Sequence, residues 1–156
     1  MQEGFPQRVS AATSSIRRHG AFAPKIGVVL GSGLSDVVDQ LLPDEDASKE
    51  ISYGEIDGFG APSVTGHRGT LYLTPDVAVM AGRFHFYEGK PLDDVVLPVA
   101  SLCSLGVETL VVTNAAGGIN PDYQPGDLVL IRDHINLMGT SPLIGPKDPA
   151  SAARFP

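Results

Sequence analysis

The sequence has little cysteine, little positive charge and no long apolar run, and each shortage excludes a class of protein. The single cysteine, Cys103, cannot form a disulfide within the chain, which predicts a reducing, cytoplasmic compartment. The chain has 11 Lys and Arg residues against 18 Asp and Glu, a net charge of −7, so no nucleic-acid or anionic-membrane surface is expected. No apolar run approaches the roughly 18 residues of a membrane span, and residues 1–10 lack the apolar core of a signal peptide.

Several catalytic signatures are also missing. The 4 histidines and the single cysteine are scattered without the spacing of metal ligands, so no metal is expected. The sequence contains neither a GxSxG nucleophile elbow nor a paired-carboxylate signature. Gly31-Ser32-Gly33 is not a Walker A loop, because no Lys-Ser/Thr pair follows it. Any chemistry must therefore come from another arrangement of polar side chains.

The distribution of apolar and turn-forming residues is typical of an α/β domain. Hydrophobic residues make up 42% of the 156, a length that fits one domain, and the 18 glycines and 13 prolines cluster at the ends of apolar runs. Continuous apolar runs predict strands buried in a parallel sheet. The predicted elements are a helix over 9–18, a strand over 26–30, a helix over 34–42, a hairpin about Pro75-Asp76, a helix over 91–105 that Pro98 should kink, and strands over 107–113 and 127–131.

Four predicted strands end in residues suited to ligand binding, which in open α/β sheets occurs beyond the carboxyl ends of strands. Gly31-Ser32-Gly33 can present outward-pointing backbone N–H groups and a hydroxyl to an anion at the start of the next helix. Arg83 supplies a planar guanidinium suited to phosphate, and His85 lies on the same face if the backbone is extended. Ala115 is a candidate backbone N–H donor, and Arg132-Asp133-His134 follows the fourth strand.

The same residues also have purely structural interpretations. Gly31-Ser32-Gly33 can be a tight turn, and Arg83 or His85 taken alone is more often a surface cation or a structural histidine. His67, between two glycines, fits a structural and a functional role equally, whereas a structural role suits His134 better. The combination of the serine loop with Arg83 and His85 favours an oxyanion site.

Five segments together resemble the purine nucleoside phosphorylase family, in particular its trimeric, inosine/guanosine-type branch. They occur in the family's order and spacing, and the resemblance covers Val28 to Phe155. The segments are VVLGSGL (28–34), VTGHRG (64–69), AGRFHFYEG (81–89), GVETLVVTNAAGGIN (106–120) and GDLVLIRDHINLMG (126–139). The methylthioadenosine phosphorylases share the fold but do not usually carry the GRFHxYEG pattern, so they are a weaker match.

The resemblance implies a mixed, largely parallel twisted sheet flanked by helices, in the phosphorylase/hydrolase-like α/β class. It also implies reversible phosphorolysis of purine (2′-deoxy)ribonucleosides to the free base and (deoxy)ribose 1-phosphate. A cytoplasmic homotrimer that uses inorganic phosphate as co-substrate, and no cofactor, is expected. By position, phosphate would be bound by Ser32, His67, Arg83, His85 and the backbone of Ala115, with His85 also catalytic. Tyr87 would contact the sugar, and Phe155 would reach into a neighbouring subunit's pocket.

The resemblance further implies that residues 1–156 form the N-terminal portion of a single nucleoside phosphorylase domain. The family's base-binding Glu, its Asn that assists purine departure, a second phosphate serine and a sugar-side His have no counterpart in the chain. We therefore expect an unpaired sheet edge, uncovered apolar faces and impaired activity. A non-catalytic phosphate-binding or oligomerising protein is the main alternative. A dinucleotide-binding module is a weaker one, because Asp36 replaces the third glycine of that fingerprint.

Overall fold

All helices and strands in the described part of the chain lie between residues 5 and 112. The computed structural model describes residues 4–31, 33–42, 48–60 and 68–144. The elements are α1 (Phe5–Arg18), β1 (Ile26–Val29), α2 (Val38–Leu41), β2 (Lys49–Ser52), β3 (Thr70–Leu73), β4 (Val77–Ala81), α3 (Leu92–Leu105) and β5 (Thr109–Val112). None of the described helices has both the length and the apolarity needed to cross a membrane.

The strands form one five-stranded mixed sheet in the order β2-β3-β4-β1-β5. β1 runs parallel to both of its neighbours, β4 and β5. β3 is antiparallel to β2 on one side and to β4 on the other. The predicted first strand, the hairpin and the strand after the third helix are confirmed as β1, β3–β4 and β5. The predicted fold class, a mixed α/β sheet flanked by helices, is likewise confirmed.

The sheet is buried on both faces at β4. Ala78 and Met80 contribute to a larger apolar cluster, whereas Val79 and Ala81 contribute to a second one, since alternate residues of a strand face opposite sides. α2 adds Val38 to the second cluster. The larger cluster also receives helical side chains from α1 and α3, namely Ala12, Ile16, Leu97, Leu102 and Leu105. Burial on both faces explains the unbroken apolar run of β4.

The ends of α3 follow sequence signals. Pro91, predicted as the first helical residue, is instead the N-cap, one position before the helix begins at Leu92. Asp93 and Asp94 lie in the first turn, where the helix dipole favours acidic side chains. Gly106 is the C-cap in a left-handed conformation, with φ of 118°. Pro98, expected to kink the helix, is buried inside it, and the helix continues to Leu105.

The helix predicted over 34–42 is wrong in length. The structure has a 3₁₀ turn over Ser35–Val37 followed by the four-residue α2. Apolar residues three apart share one face of a 3₁₀ turn as well as of an α-helix, so their spacing did not distinguish the two.

The strand predicted over 127–131 is also wrong. The chain divides into two compact units, Met1–Asn114 and Ala115–Pro156. The described residues of the second unit, 115–144, contain neither helix nor strand. Leu128 and Leu130 are 101% and 92% exposed. An apolar run becomes a strand only when a neighbouring strand takes up its backbone hydrogen bonds, and the described residues of this unit offer none.

In the described part of the chain, β5 forms one edge of the sheet. Its side chains are poorly covered, since Val111 and Val112 are 45% and 56% exposed. An apolar strand at a sheet edge presents unpaired backbone groups to its surroundings. The edge matches the expectation of an unpaired strand with uncovered apolar side chains.

Replacing Gly106 with Ala is expected to lower the free energy of unfolding by about 1–3 kcal/mol, because a Cβ is disfavoured at its positive φ. The strain would come from the backbone alone, since no atom lies within 4 Å of the added Cβ. Gly54→Ala is the matched control, with no positive φ and its closest contact at 3.8 Å. Urea unfolding followed by circular dichroism measures the free energy of unfolding of both variants. An equal loss in Gly106→Ala and Gly54→Ala would contradict a requirement for glycine at position 106.

Candidate anion-binding site

The carboxyl ends of three adjacent strands lie side by side at the same end of the sheet. β1 is parallel to β4 and to β5, with Val29 opposite Met80 and Val112. The residues that follow these strands therefore emerge side by side. The loops in which the sequence predicts an oxyanion site follow these three strands.

Thr113, the residue after β5, contacts the loops that follow both other strands. The Gly31 amide donates to Thr113 Oγ1 at 2.9 Å, and Arg83 Nη1 donates to the Thr113 carbonyl at 2.6 Å. The Thr113 hydroxyl donates in turn to the Val29 carbonyl at 3.2 Å. Gly31, Arg83 and Thr113 thus form one hydrogen-bonded junction.

In the Gly31-Ser32-Gly33 segment, here called the glycine loop, the backbone at Gly31 packs closely against the end of β5. A Cβ at Gly31 would lie 2.7 Å from the Thr113 carbonyl oxygen and 3.1 Å from Asn114 Cα, so only glycine fits without displacing backbone. The expectation that the loop's amides point outward is wrong for Gly31, because its N–H is bound to Thr113. The short α2 also lacks the length of the helix expected to favour an anion through its dipole.

Arg83, His85 and Glu88 form a continuous chain of hydrogen bonds. Arg83 Nε lies 3.2 Å from His85 Nε2, and His85 Nδ1 lies 2.8 Å from Glu88 Oε1. The same carboxylate oxygen accepts the His85 backbone N–H at 2.7 Å. The predicted proximity of Arg83 and His85 is therefore present.

The hydrogen-bonding roles determine the form of the His85 ring. A guanidinium can only donate, so His85 Nε2 is the acceptor, and its Nδ1 carries the proton that faces Glu88. Glu88 is buried, with 4% of its side chain exposed, and it orients the ring through the other nitrogen.

Tyr53 supports the segment that carries Arg83. Its hydroxyl donates to the Gly82 carbonyl at 2.7 Å, immediately before Arg83. The ring makes edge contacts with Phe59 and Phe84, at centroid distances of 5.5 and 5.8 Å. Burial raises the pKa of Tyr53 well above its usual range, so its hydroxyl stays a neutral donor.

The remaining predicted site residues are only partly described. Tyr87 stacks on the His85 ring, with centroids 4.7 Å apart, and is 74% exposed, so it can meet a ligand held near His85. Ala115 is the exposed first residue of the second unit. Ser32, His67 and Phe155 lie outside the described residues.

Sequence reasoning missed Glu88, Thr113 and Tyr53. The spacing of His85 and Glu88 is that of a capping box, in which the side chain three positions after the N-cap accepts the N-cap backbone N–H, and this could have indicated Glu88. No local pattern indicates the others, because Thr113 is 82 residues from Gly31 and Tyr53 is 29 from Gly82.

Comparison with known proteins identifies the family. The sequence profile of the phosphorylase superfamily matches residues 25–156. The chain belongs to the phosphorylase superfamily. In this superfamily member, the junction of Gly31, Arg83 and Thr113 lies within the matched region.

Curated relatives of this phosphorylase-superfamily chain are purine nucleoside phosphorylases. Purine nucleoside phosphorylase 1 of Bacillus subtilis (strain 168) is 44% identical over 153 residues, which are 96% of this chain and 55% of that protein. Purine nucleoside phosphorylase of Bos taurus is 45% identical over 145 residues, 88% of this chain and 49% of that protein. The chain thus spans about half the length of these relatives.

Solved structures of the same kind share the fold. Isoform 2 of purine nucleoside phosphorylase from Schistosoma mansoni, in complex with cytosine and ribose-1-phosphate, has a TM-score of 0.82 at 37% identity. The alignment covers 96% of this chain and 54% of that one. Schistosoma mansoni purine nucleoside phosphorylase in complex with adenosine has a TM-score of 0.83 at 38% identity, covering 96% and 53%.

Tyr53 is expected to make the protein less stable at alkaline pH. Its pKa is raised in the folded state, so above about pH 10 the unfolded chain loses a proton that the folded chain keeps. The contribution of Tyr53 to the free energy of unfolding is fully present below that pH. Above it the free energy of unfolding falls by up to about 1.4 kcal/mol per pH unit for one proton. Tyr53→Phe should remove this part of the slope in urea unfolding between pH 8 and 11.

At neutral pH, Tyr53→Phe should also lower the free energy of unfolding by about 1–3 kcal/mol, because the buried Gly82 carbonyl loses its donor. Tyr72→Phe is the control, since the Tyr72 hydroxyl reaches Glu50 at the surface and solvent can replace it. Identical alkaline slopes in the wild type and Tyr53→Phe would refute the pH argument.

Glu88→Gln is expected to change the tautomer of His85. Glutamine keeps the shape but lacks the charge that favours a proton on Nδ1, so the Nδ1-protonated tautomer should become less dominant, with the bond from Arg83 Nε to Nε2 as its remaining support. Ring ¹⁵N chemical shifts, measured by long-range ¹H–¹⁵N correlation, report this directly. His19, at the C-cap of α1, is the internal reference. Unchanged His85 shifts in the variant would show that Glu88 does not orient the ring.

Proposed function

We propose that this chain takes part in the reversible phosphorolysis of purine (2′-deoxy)ribonucleosides, which gives the free base and (deoxy)ribose 1-phosphate. The observation that carries the proposal is the meeting of Arg83, His85 and the end of β5 beyond the sheet's carboxyl edge. The names of the relatives and the ribose-1-phosphate and adenosine bound in the Schistosoma mansoni proteins support it.

In this proposal Arg83 binds inorganic phosphate, and His85 is a second phosphate ligand and the catalytic residue among them. To donate to the anion, His85 Nε2 must exchange the hydrogen bond that it accepts from Arg83 Nε for an N–H of its own. Arg83 contributes a planar, permanently charged donor, and its bond to the Thr113 carbonyl directs the guanidinium to a defined place. Ser32, His67 and the Ala115 backbone complete the phosphate ligands by resemblance to the family.

Two further roles follow from the same resemblance. Tyr87, stacked on His85, contacts the ribose next to the phosphate. Phe155 reaches into the pocket of a neighbouring subunit. The proposal therefore includes a cytoplasmic homotrimer, with purine nucleoside and phosphate as substrates and without a cofactor, nucleic acid or membrane partner.

The site has to bind a phosphate anion although the protein as a whole is acidic. The chain's net charge of −7 opposes phosphate, so a local group of donors must hold it at the anomeric carbon. A phosphate oxygen then forms a bond to C1′ while the C1′–N9 bond breaks and its electron pair leaves with the purine, which takes up a proton. Orientation of the reactants can supply roughly 7–11 kcal/mol of the barrier reduction.

Phosphate binding tests the first part of the proposal. Isothermal titration of the 156-residue chain with inorganic phosphate should show saturable binding. Arg83→Ala should weaken it by about 10- to 100-fold, as expected for the loss of a charge-assisted hydrogen bond. Arg17→Ala is the control, because Arg17 bonds the Ser104 carbonyl at the surface. Absence of binding by the wild type, or equal binding by Arg83→Ala, would overturn the proposal.

Catalysis is tested separately, because the chain spans about half of its relatives. Hypoxanthine release from inosine is measured with and without phosphate. The assay uses the chain alone and a fusion to the remaining C-terminal part of the Bacillus subtilis relative. Phosphate-dependent release by the fusion, reduced in Arg83→Ala, is the expected result. Phosphate binding without release in either form would support the non-catalytic alternative.

A further inference from the structure

We propose that Thr113 is a positioning residue that sets the distance between the two sides of the oxyanion site. The inference rests on the proposed function, because the site it organises is the proposed phosphate site. Thr113 itself need not touch the anion. It acts through Gly31, which precedes the Ser32 candidate ligand, and through Arg83.

Thr113 makes hydrogen bonds to both Gly31 and Arg83, which lie on the two sides of the proposed site. Its hydroxyl accepts the Gly31 amide at 2.9 Å and donates to the Val29 carbonyl at 3.2 Å. Its carbonyl accepts Arg83 Nη1 at 2.6 Å. Its own amide also donates to the Val29 carbonyl, at 3.0 Å. A shift of this one residue would therefore move the glycine loop and the guanidinium relative to each other.

The packing leaves the junction little freedom. The Gly31 backbone lies so close to Thr113 and Asn114 that a single added carbon would overlap them. Thr113 is half-buried, and its β-branched side chain has few χ1 rotamers, so the hydroxyl is held in the orientation that makes both bonds. Serine can make the same two bonds with more rotational freedom, whereas valine has the same shape and can make neither.

The chain contains a matched control for this arrangement. Thr74 accepts the Val77 amide at 2.9 Å and donates to the Val77 carbonyl at 3.2 Å. These are the same two kinds of bond at the same lengths, but they lie in the β3–β4 turn, before β4 rather than beyond it. Thr74→Val therefore removes an equivalent pair of hydrogen bonds away from the proposed site.

The experiment compares Thr113→Val, Thr113→Ser and Thr74→Val with the wild type. Phosphate affinity is measured by isothermal titration, stability by urea unfolding, and opening of the loop by amide hydrogen exchange at Gly31. Thr113→Val should raise the phosphate Kd by about tenfold and lose protection at Gly31, since one hydrogen bond of ordinary strength corresponds to about that factor. Thr113→Ser should restore most of both. Thr74→Val should lose comparable stability and keep wild-type phosphate affinity.

The outcomes separate this inference from the proposed function. A wild-type chain that does not bind phosphate removes the proposed function and the inference with it. Wild-type binding with an unchanged Kd in Thr113→Val overturns the inference alone, as does an equal loss of affinity in Thr74→Val. If Thr113→Val does not fold, Gly31→Ala decides, because its Cβ would meet the Thr113 carbonyl at 2.7 Å. Wild-type affinity in Gly31→Ala would likewise overturn the inference.

Discussion

The parallel pairing of β1 with both β4 and β5 is the constraint on which the site depends. It places the residues after three strands at a common edge, although they are distant in sequence. A one-residue slip of β1 would exchange the faces of its side chains and bury the wrong set. Gly27 supports the register, since a Cβ there would lie 3.0 Å from Leu110 Cδ1 and 3.1 Å from Val107 Cγ1. The site is therefore a consequence of how the core packs.

The charges of Arg83 and Glu88 balance each other locally, within a chain whose net charge is −7. Glu88 is a buried carboxylate that accepts hydrogen bonds from the backbone N–H and the ring Nδ1–H of His85. The Nε2 of the same ring accepts a hydrogen bond from Arg83 Nε. In a low-dielectric surrounding such a chain stabilises its members together, and removal of one leaves the others costly to bury. The guanidinium is thus held in place by the protein's own groups, which reduces the ordering that binding of an anion would require.

Much of the sheet was predictable because its strands are unbroken apolar runs, as in β1, β4 and β5. β4 is buried along most of its length, whereas β5 keeps the same apolar pattern although it is largely exposed at the edge of the sheet. The same signal failed over residues 127–131, where the described second unit offers no partner strand. Within the site, alternation predicted that Arg83 and His85 share a face, since it depends only on an extended backbone. Thr113 and Tyr53 gave no local signal, because their partners are remote in the chain.

The sequence by itself determined the fold class, the resemblance to the family and the candidate cations of the site. These follow from local patterns: runs of apolar residues, glycines at strand ends and the spacing of Arg83 and His85. Only the tertiary structure decided that the Gly31 amide faces Thr113 and that Thr113 joins the glycine loop to Arg83. The physical reason is that a hydrogen bond depends on distances of about 3 Å, and between remote residues these are set by strand register and core packing.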